Sequence, residues 1–324
     1  MKAVVYHQYG LPDVLHFEKV EQPTPMEDEV LIKVHASSIN DWDWGFLTGT
    51  PFVNRTMNGL FKPKKTKILG TDVAGKVEAV GNKVTQFQPG DEVLGDLCEC
   101  GFGCFSEYVC AKENTLALKP ASMSFKQAAA IPQAAALALQ GVQQVGQIQP
   151  GQKVLINGAG GGAGSFGVQM AKSFGAEVTG VDSGEKLDMM RSIGADHVID
   201  YKTEDFTKNG KSYDLILDNA AYHSFFDYKR VLAPQGNYAV VGGSLARIFQ
   251  ILALGKCFSM IGSKKFAIML HKPNKDIALI IELFEAGKFV PIIDRTYPLG
   301  ELAEALTYFG EGHAKGKIVI TMEE

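Results

Sequence analysis

The stretch Val154-Leu155-Ile156-Asn157-Gly158-Ala159-Gly160-Gly161-Gly162-Ala163-Gly164-Ser165-Phe166-Gly167 decides the fold. Its short apolar run reads as a strand, and the residues from Ser165 to Phe174 repeat apolar positions at helical spacing. The glycines between them allow a tight turn and a close approach of backbone to ligand. A pyrophosphate can then reach the N–H groups of the helix start, where the macrodipole adds attraction. An acid, Asp182, stands twenty residues past Gly162 at the end of the next expected strand, as a dinucleotide-binding crossover requires. Gly162-x-Gly164-x-x-Gly167 fits the literal pattern, but Ala159-x-Gly161-x-x-Gly164 starts nearer the strand and is preferred. The pyrophosphate is therefore assigned to Ala159, Gly161, Gly162, Ala163 and Gly164. The alternative is a tight strand-to-helix turn with no ligand.

Strand and helix alternate from this loop onward. Strands are predicted at Val178 to Asp182, Val198 to Asp200, Leu215 to Asp218 and Tyr238 to Val241, with helices at Lys186 to Ile193 and between the last two strands. Such alternation implies right-handed crossovers and a parallel sheet covered on both faces. Upstream, apolar residues recur at helical spacing through Gln127 to Val145. Before Ser124 the texture is different. Short runs rich in branched and aromatic residues, Lys2 to His7, Glu29 to Ala36, Val73 to Val80, Asp91 to Leu97 and Phe105 to Ala111, lie between turn residues and read as β structure. From about Asn274 the pattern predicts a helix to Ala286, a strand near Val290, a helix from Glu301 and a final strand Lys317 to Thr321.

Length and composition bound the remaining choices. A chain of 324 residues suits two domains, and 46% hydrophobic with 21% charged residues is ordinary for a globular protein. The formal net charge is −4 without a long run of one sign. Nothing there asks for nucleic acid or a membrane, so a small-molecule partner is expected. The first ten residues do not resemble a secretion signal, and the expected compartment is the cytoplasm. Of five cysteines, Cys98, Cys100, Cys104 and Cys110 cluster with the spacing C-x-C-x3-C-x5-C. That spacing lacks the two-residue gaps of zinc sites, so reduced, buried or half-buried thiols are predicted.

Asp182 and its neighbours pull the choice of dinucleotide in opposite directions. A carboxylate there accepts ribose hydroxyls and repels a 2′-phosphate, which favours NAD(H). Ser183, Lys186 and Tyr201 are close in sequence, and a hydroxyl with an ammonium suits that phosphate.

The assembled motifs resemble the medium-chain dehydrogenase/reductase superfamily, in its zinc-free quinone oxidoreductase and alkenal (enone) reductase branch. The resemblance spans nearly the whole chain. It is carried by Ser38-Ile39-Asn40-x-x-Asp43, Leu69-Gly70-Thr71-Asp72 with Gly75 and Gly81, the Phe87 to Val93 turn, the glycine loop and Ile193 to Tyr201. Val241-Gly242-Gly243 and the closing Gly312 to Ile320 complete it. It implies an α/β fold: a GroES-like β domain formed by residues 1–121 and 268–324, and a Rossmann doubly wound parallel sheet domain formed by 122–267. It also implies NADPH as cofactor with NADH possible, Gly242, Gly243 and Ser244 near the nicotinamide ribose, Lys315 as a further cofactor residue, and a homodimer pairing near Val240 and Leu245 to Leu254.

Zinc-dependent members of the superfamily place Cys where Asn40 stands and His where Thr71 stands, so no metal is expected. The resemblance puts Asn40 and Asp43 beside the nicotinamide, where a polar group orients the acceptor or bonds its developing oxyanion. A simpler reading of Asn40 is a turn residue ending a strand. Trp42 and Trp44 suit either stacking on a flat acceptor or packing, and His35, His197 and His223 form no triad. The implied activity is NAD(P)H-dependent reduction of a quinone or enone. A zinc-independent alcohol or aldehyde dehydrogenase and a non-catalytic NAD(P)-binding regulatory protein are the alternatives.

Overall fold

The computed structural model describes residues 1–322, which form two compact units. The first comprises residues 1–133, 273–281 and 293–322, and the second 134–272 and 282–292. Among the described residues no helix is long and apolar enough to cross a membrane.

The first unit is built on a seven-stranded sheet. Its long central strand Glu29–Ser38 pairs antiparallel with Asp72–Val80, Tyr108–Lys112 and Lys317–Thr321. Branched residues such as Val30, Ile32, Val34, Val73, Val77 and Val93 are buried together, as expected for side chains that fit a pleated, covered surface. Lys317–Thr321 also pairs parallel with Ile293–Pro298, so the end of the chain closes the sheet begun by its first third.

The second unit holds a six-stranded, all-parallel sheet in the order His197–Asp200, Glu177–Asp182, Lys153–Asn157, Tyr213–Asp218, Leu232–Val240, Lys265–Ile268. Alternate residues of one strand feed two cores. Val154 and Ile156 pack with Val168 and Ala171 of the helix Gly162–Ser173, while Leu155 packs with Phe225 and Tyr228 of the helix Phe225–Val231. The strand order reverses between Lys153–Asn157 and Tyr213–Asp218, the switch point beside which such sheets bind ligands.

Several elements differ from the sequence pattern. The helix expected through Gln127 to Val145 is broken into Phe125–Ala130 and Pro132–Leu139, followed by a π-helical turn Gln140–Val145. Pro132 has no N–H to continue the first helix. The break leaves the Gln133 N–H free to donate to Asp72 Oδ1 at 3.0 Å. No strand forms at Val290: its N–H and carbonyl pair with the Gln169 side chain, and the strand begins at Ile293. Elements with no counterpart in the sequence reading include the strand Leu15–Lys19, the helices Asp41–Thr48, Val53–Asn58 and Leu245–Ile261, and the edge strand Lys265–Ile268.

Candidate functional site

All six strands of the second unit end on the same side, so their connecting loops gather there. Register aligns Asp200 with Asp182, Asn157 with Val181 and Asp218, and Asp218 with Val240. This brings the glycine loop, Asp182, Ser183, Lys186, Tyr201 and the Gly242 to Ser244 loop to one edge.

The glycine loop is fixed from below. The N–H groups of Gly158 and Ala159 both donate to the Val181 carbonyl, at 2.9 and 3.1 Å. The helix begins at Gly162 with Gly161 as its cap, which offers no side-chain acceptor. Ser165 N–H is the first to close a helical turn, onto the Gly161 carbonyl, and the N–H groups of Gly162, Ala163 and Gly164 have no acceptor among the described residues. These orphan donors at the start of a twelve-residue helix could hold an anion. A methyl group at Gly164 would lie 2.0 Å from the Gly158 carbonyl oxygen, so only glycine lets helix and strand end meet there. Gly243 is similarly constrained, with φ +121° and the Ala221 N–H 2.3 Å from any Cβ. It bridges to Ala221, which ties the loops after two neighbouring strands together.

Asp182 is engaged by the protein itself. Its Oδ2 accepts the Gly160 N–H at 2.9 Å, its Oδ1 accepts the Ser183 N–H at 2.8 Å, and the Lys186 ammonium stands 3.5 Å from Oδ1. Asp182 and Lys186 are both buried. The carboxylate therefore braces the glycine loop and holds Lys186 in place, and a ribose hydroxyl has to share it. Ser183 Oγ donates to Glu185 at 3.3 Å, and Tyr201 is half exposed with its ring 6.5 Å from that of Tyr222.

Asn40, Asp43 and Lys315 belong to the first unit. Asn40 caps the helix Asp41–Thr48, and its N–H donates to Asp43 Oδ2 at 2.9 Å. Asp43 Oδ1 accepts the Gly70 N–H at 2.8 Å. Despite these two donors, burial pushes the Asp43 carboxyl up to about 7. The Asn40 amide donates to Thr71 Oγ1 at 3.1 Å and to Asp72 Oδ2 at 2.9 Å, and its Oδ1 accepts from Lys317. Lys315 lies apart from this cluster, its N–H donating to Asp294. Sequence reasoning passed over Lys317, although it sits in the same closing motif as Lys315.

Trp44 is packed, with its ring against Gly310 and 6.5 Å from that of Phe309, and Trp42 leans on Phe46. His35 stacks on Phe125, His197 meets Glu177 at 3.0 Å, and His223 lies 3.6 Å from Asp205. Cys110 pairs with Leu31 inside the sheet, and burial pushes its thiol up to about 11. Among the described residues, no three of the clustered thiols have sulfurs within 4.8 Å of one another.

Comparison with known proteins gives the arrangement its context. Residues 26–121 match the family model for the alcohol dehydrogenase GroES-like domain, and residues 193–320 match that described as zinc-binding dehydrogenase. The chain is 34% identical to the mitochondrial NAD(P)H oxidoreductase RTN4IP1 of Bos taurus, over 99% of this chain and 89% of that one. It is 31% identical to the chloroplastic quinone-oxidoreductase homolog of Spinacia oleracea, over 99% and 98%. The solved quinone oxidoreductase of Coxiella burnetii superposes with a TM-score of 0.87 at 28% identity, covering 100% of this chain and 99% of that chain. Fold and site thus define an oxidoreductase with a nicotinamide cofactor. The chain belongs to the medium-chain dehydrogenase/reductase superfamily, in the zinc-free quinone oxidoreductase and alkenal reductase branch.

The residues present fit the nicotinamide dinucleotide, for which the three orphan N–H groups could supply a diphosphate cradle. They do not fit a catalytic zinc ion. Asn40 and Thr71 offer a neutral amide and a hydroxyl, and the Lys317 ammonium already bonds the Asn40 oxygen and faces Asp72 at 3.5 Å. A second cation there would meet repulsion and no soft donor.

Proposed function

We propose that the protein reduces quinones and α,β-unsaturated aldehydes or ketones with NAD(P)H, without a metal. The observation that carries this reading is the donor set around Asn40, in which an ammonium and two neutral groups replace a metal-binding constellation. With no Lewis acid available, the acceptor has to be electrophilic already. The bound nicotinamide would supply hydride. The chain's own residues have simpler tasks: the N–H groups of Gly162 to Gly164 hold the diphosphate, and Asp182 keeps the loop in shape. Gly242, Gly243 and Ser244 border the same edge, and Asn40, supported by Asp43, meets the acceptor oxygen. The product's proton comes from water.

NADPH is the favoured cofactor. Lys186, Ser183 and Tyr201 provide an ammonium and two hydroxyls for a 2′-phosphate, and NADH serves less well. Lys315 is kept as a further cation for the cofactor. A homodimer is favoured by the helix Leu245–Ile261, which exposes Leu245, Phe249, Leu252, Met260 and Ile261. Beside it, among the described residues, the outer side of the edge strand Lys265–Ile268 pairs with no other strand. Five free thiols support the cytoplasm as its compartment. Stopped-flow oxidation of NADPH and NADH by 1,4-naphthoquinone and by 2-hexenal tests the activity. Turnover is expected with both acceptors and insensitive to chelators; inertness toward both would refute the reading.

A further inference from the structure

The polar core of the first unit contains a cation to which the reaction has so far given no task. Lys317 is 2% exposed. Its ammonium donates to the Ile39 carbonyl at 3.0 Å and to Asn40 Oδ1, and it faces Asp72 Oδ2 at 3.5 Å. Its three hydrogens thus face three oxygens. An ammonium can only donate and a carboxylate can only accept, whereas a carboxamide does either according to which way it is turned. Asn40 lies between the two, with its oxygen on Lys317 and one amide hydrogen on Asp72. A flipped amide would set NH2 against NH3⁺ and oxygen against carboxylate. Charge on both sides therefore decides the orientation.

We propose that Lys317 is a positioning residue of the reduction: by pinning Asn40 Oδ1 it presents the second Nδ2 hydrogen, now on Thr71, to the acceptor oxygen as that oxygen gains charge. The proposal rests on the quinone and enone reading above. Of the two amide hydrogens, one is held by the buried Asp72 charge. The other goes to a neutral hydroxyl at 3.1 Å, the weaker acceptor and the one an incoming oxyanion displaces. An alkenal concentrates the developing charge on one carbonyl oxygen and depends strongly on a fixed donor there. A naphthoquinone gains aromaticity as it is reduced and depends on it less.

The test compares Asp72→Asn with the double variant Asp72→Asn/Lys317→Met. Lys317→Met alone leaves the buried Asp72 carboxylate without its counter-charge and is expected to fold poorly, and removing both charges avoids this. NADPH oxidation is followed with 2-hexenal and with 1,4-naphthoquinone, and the ratio of the two kcat values is the readout. That ratio is insensitive to how much enzyme is folded. Asp72→Asn keeps the ammonium on Asn40 and is expected to keep the wild-type ratio, whatever it costs both acceptors together. In the double variant the ratio is expected to fall about tenfold or more, with NADPH affinity retained. An equal ratio in the two variants would overturn the proposal and leave the activity standing. A wild-type enzyme inert toward both acceptors would remove the activity and the proposal with it.

Discussion

Replacing Gly164 with Ala separates the glycine that shapes the loop from those that face the ligand. The added methyl would lie 2.0 Å from the Gly158 carbonyl oxygen and 2.7 Å from Ala159 Cα, both backbone atoms that cannot rotate away. Ordinary contact lies near 3.5 Å, so the helix start has to retreat by about 1.5 Å. Overpacking of this kind costs about 1–3 kcal/mol of stability. The same retreat stretches an N–H···O bond of about 2.9 Å beyond bonding range. A charge-assisted bond is worth about 1.5–3 kcal/mol, so losing one weakens NADPH binding about 10- to 100-fold. Gly161→Ala is the control. Its methyl meets nothing closer than 3.5 Å and the backbone is at φ −87°, so the fold is expected to survive unchanged. Circular-dichroism melting and NADPH fluorescence titration measure both effects. A Gly164→Ala variant that melts and binds as wild type would refute the packing argument and the placement of the diphosphate.

Asp182→Ala should leave the Gly160 N–H without its acceptor, costing about 1–3 kcal/mol, and release Lys186. The ratio of kcat/KM for NADPH over NADH is expected to rise several-fold, and an unchanged ratio would show that Lys186 takes no part in cofactor choice. Asp43 carries a folded-state pKa of about 7, above the ~4 of an unfolded Asp. It therefore adds stability that is complete below pH 4 and lost as pH rises through 7. The stability advantage of wild type over Asp43→Asn should narrow between pH 5 and pH 8, by on the order of 3 kcal/mol; denaturant melts at the two pH values that show a constant gap would contradict this. Trp44→Ala is expected to cost about 3 kcal/mol through the void left beside Gly310 and Phe309. It should leave the KM for naphthoquinone unchanged, and a raised KM would instead mean that the ring stacks on the acceptor.

The two clusters, one on each unit, differed in how far they could be read beforehand. The glycine loop was legible because its constraints are local: the strand, the turn and the orphan N–H groups lie within twenty residues. Asp182 was located by the same spacing. That its oxygens serve Gly160, Ser183 and Lys186 was not legible, because a carboxylate's partners depend on how the loop folds back. Lys317 was missed for a stronger reason. It meets Asn40 across 277 positions, and nothing in the Lys315-Gly316-Lys317 run tells which ammonium is buried. The helix Leu245–Ile261 escaped notice because it is apolar on every side, which blurs the period that marks an amphipathic helix.

The sequence by itself determined the alternation of strands and helices and the strand, glycine turn and helix around Gly158 to Gly167, since each follows from residue type at short range; that Asn40 and Thr71 stand where zinc-dependent relatives carry Cys and His came from the family resemblance. Tertiary structure alone decided that Pro132 breaks a helix to offer Gln133 to Asp72, and that Asp43 is ringed by backbone donors. It likewise decided that a lysine from the last strand turns the Asn40 amide. These outcomes depend on charges buried together from distant parts of the chain, where low dielectric makes each partner's identity count.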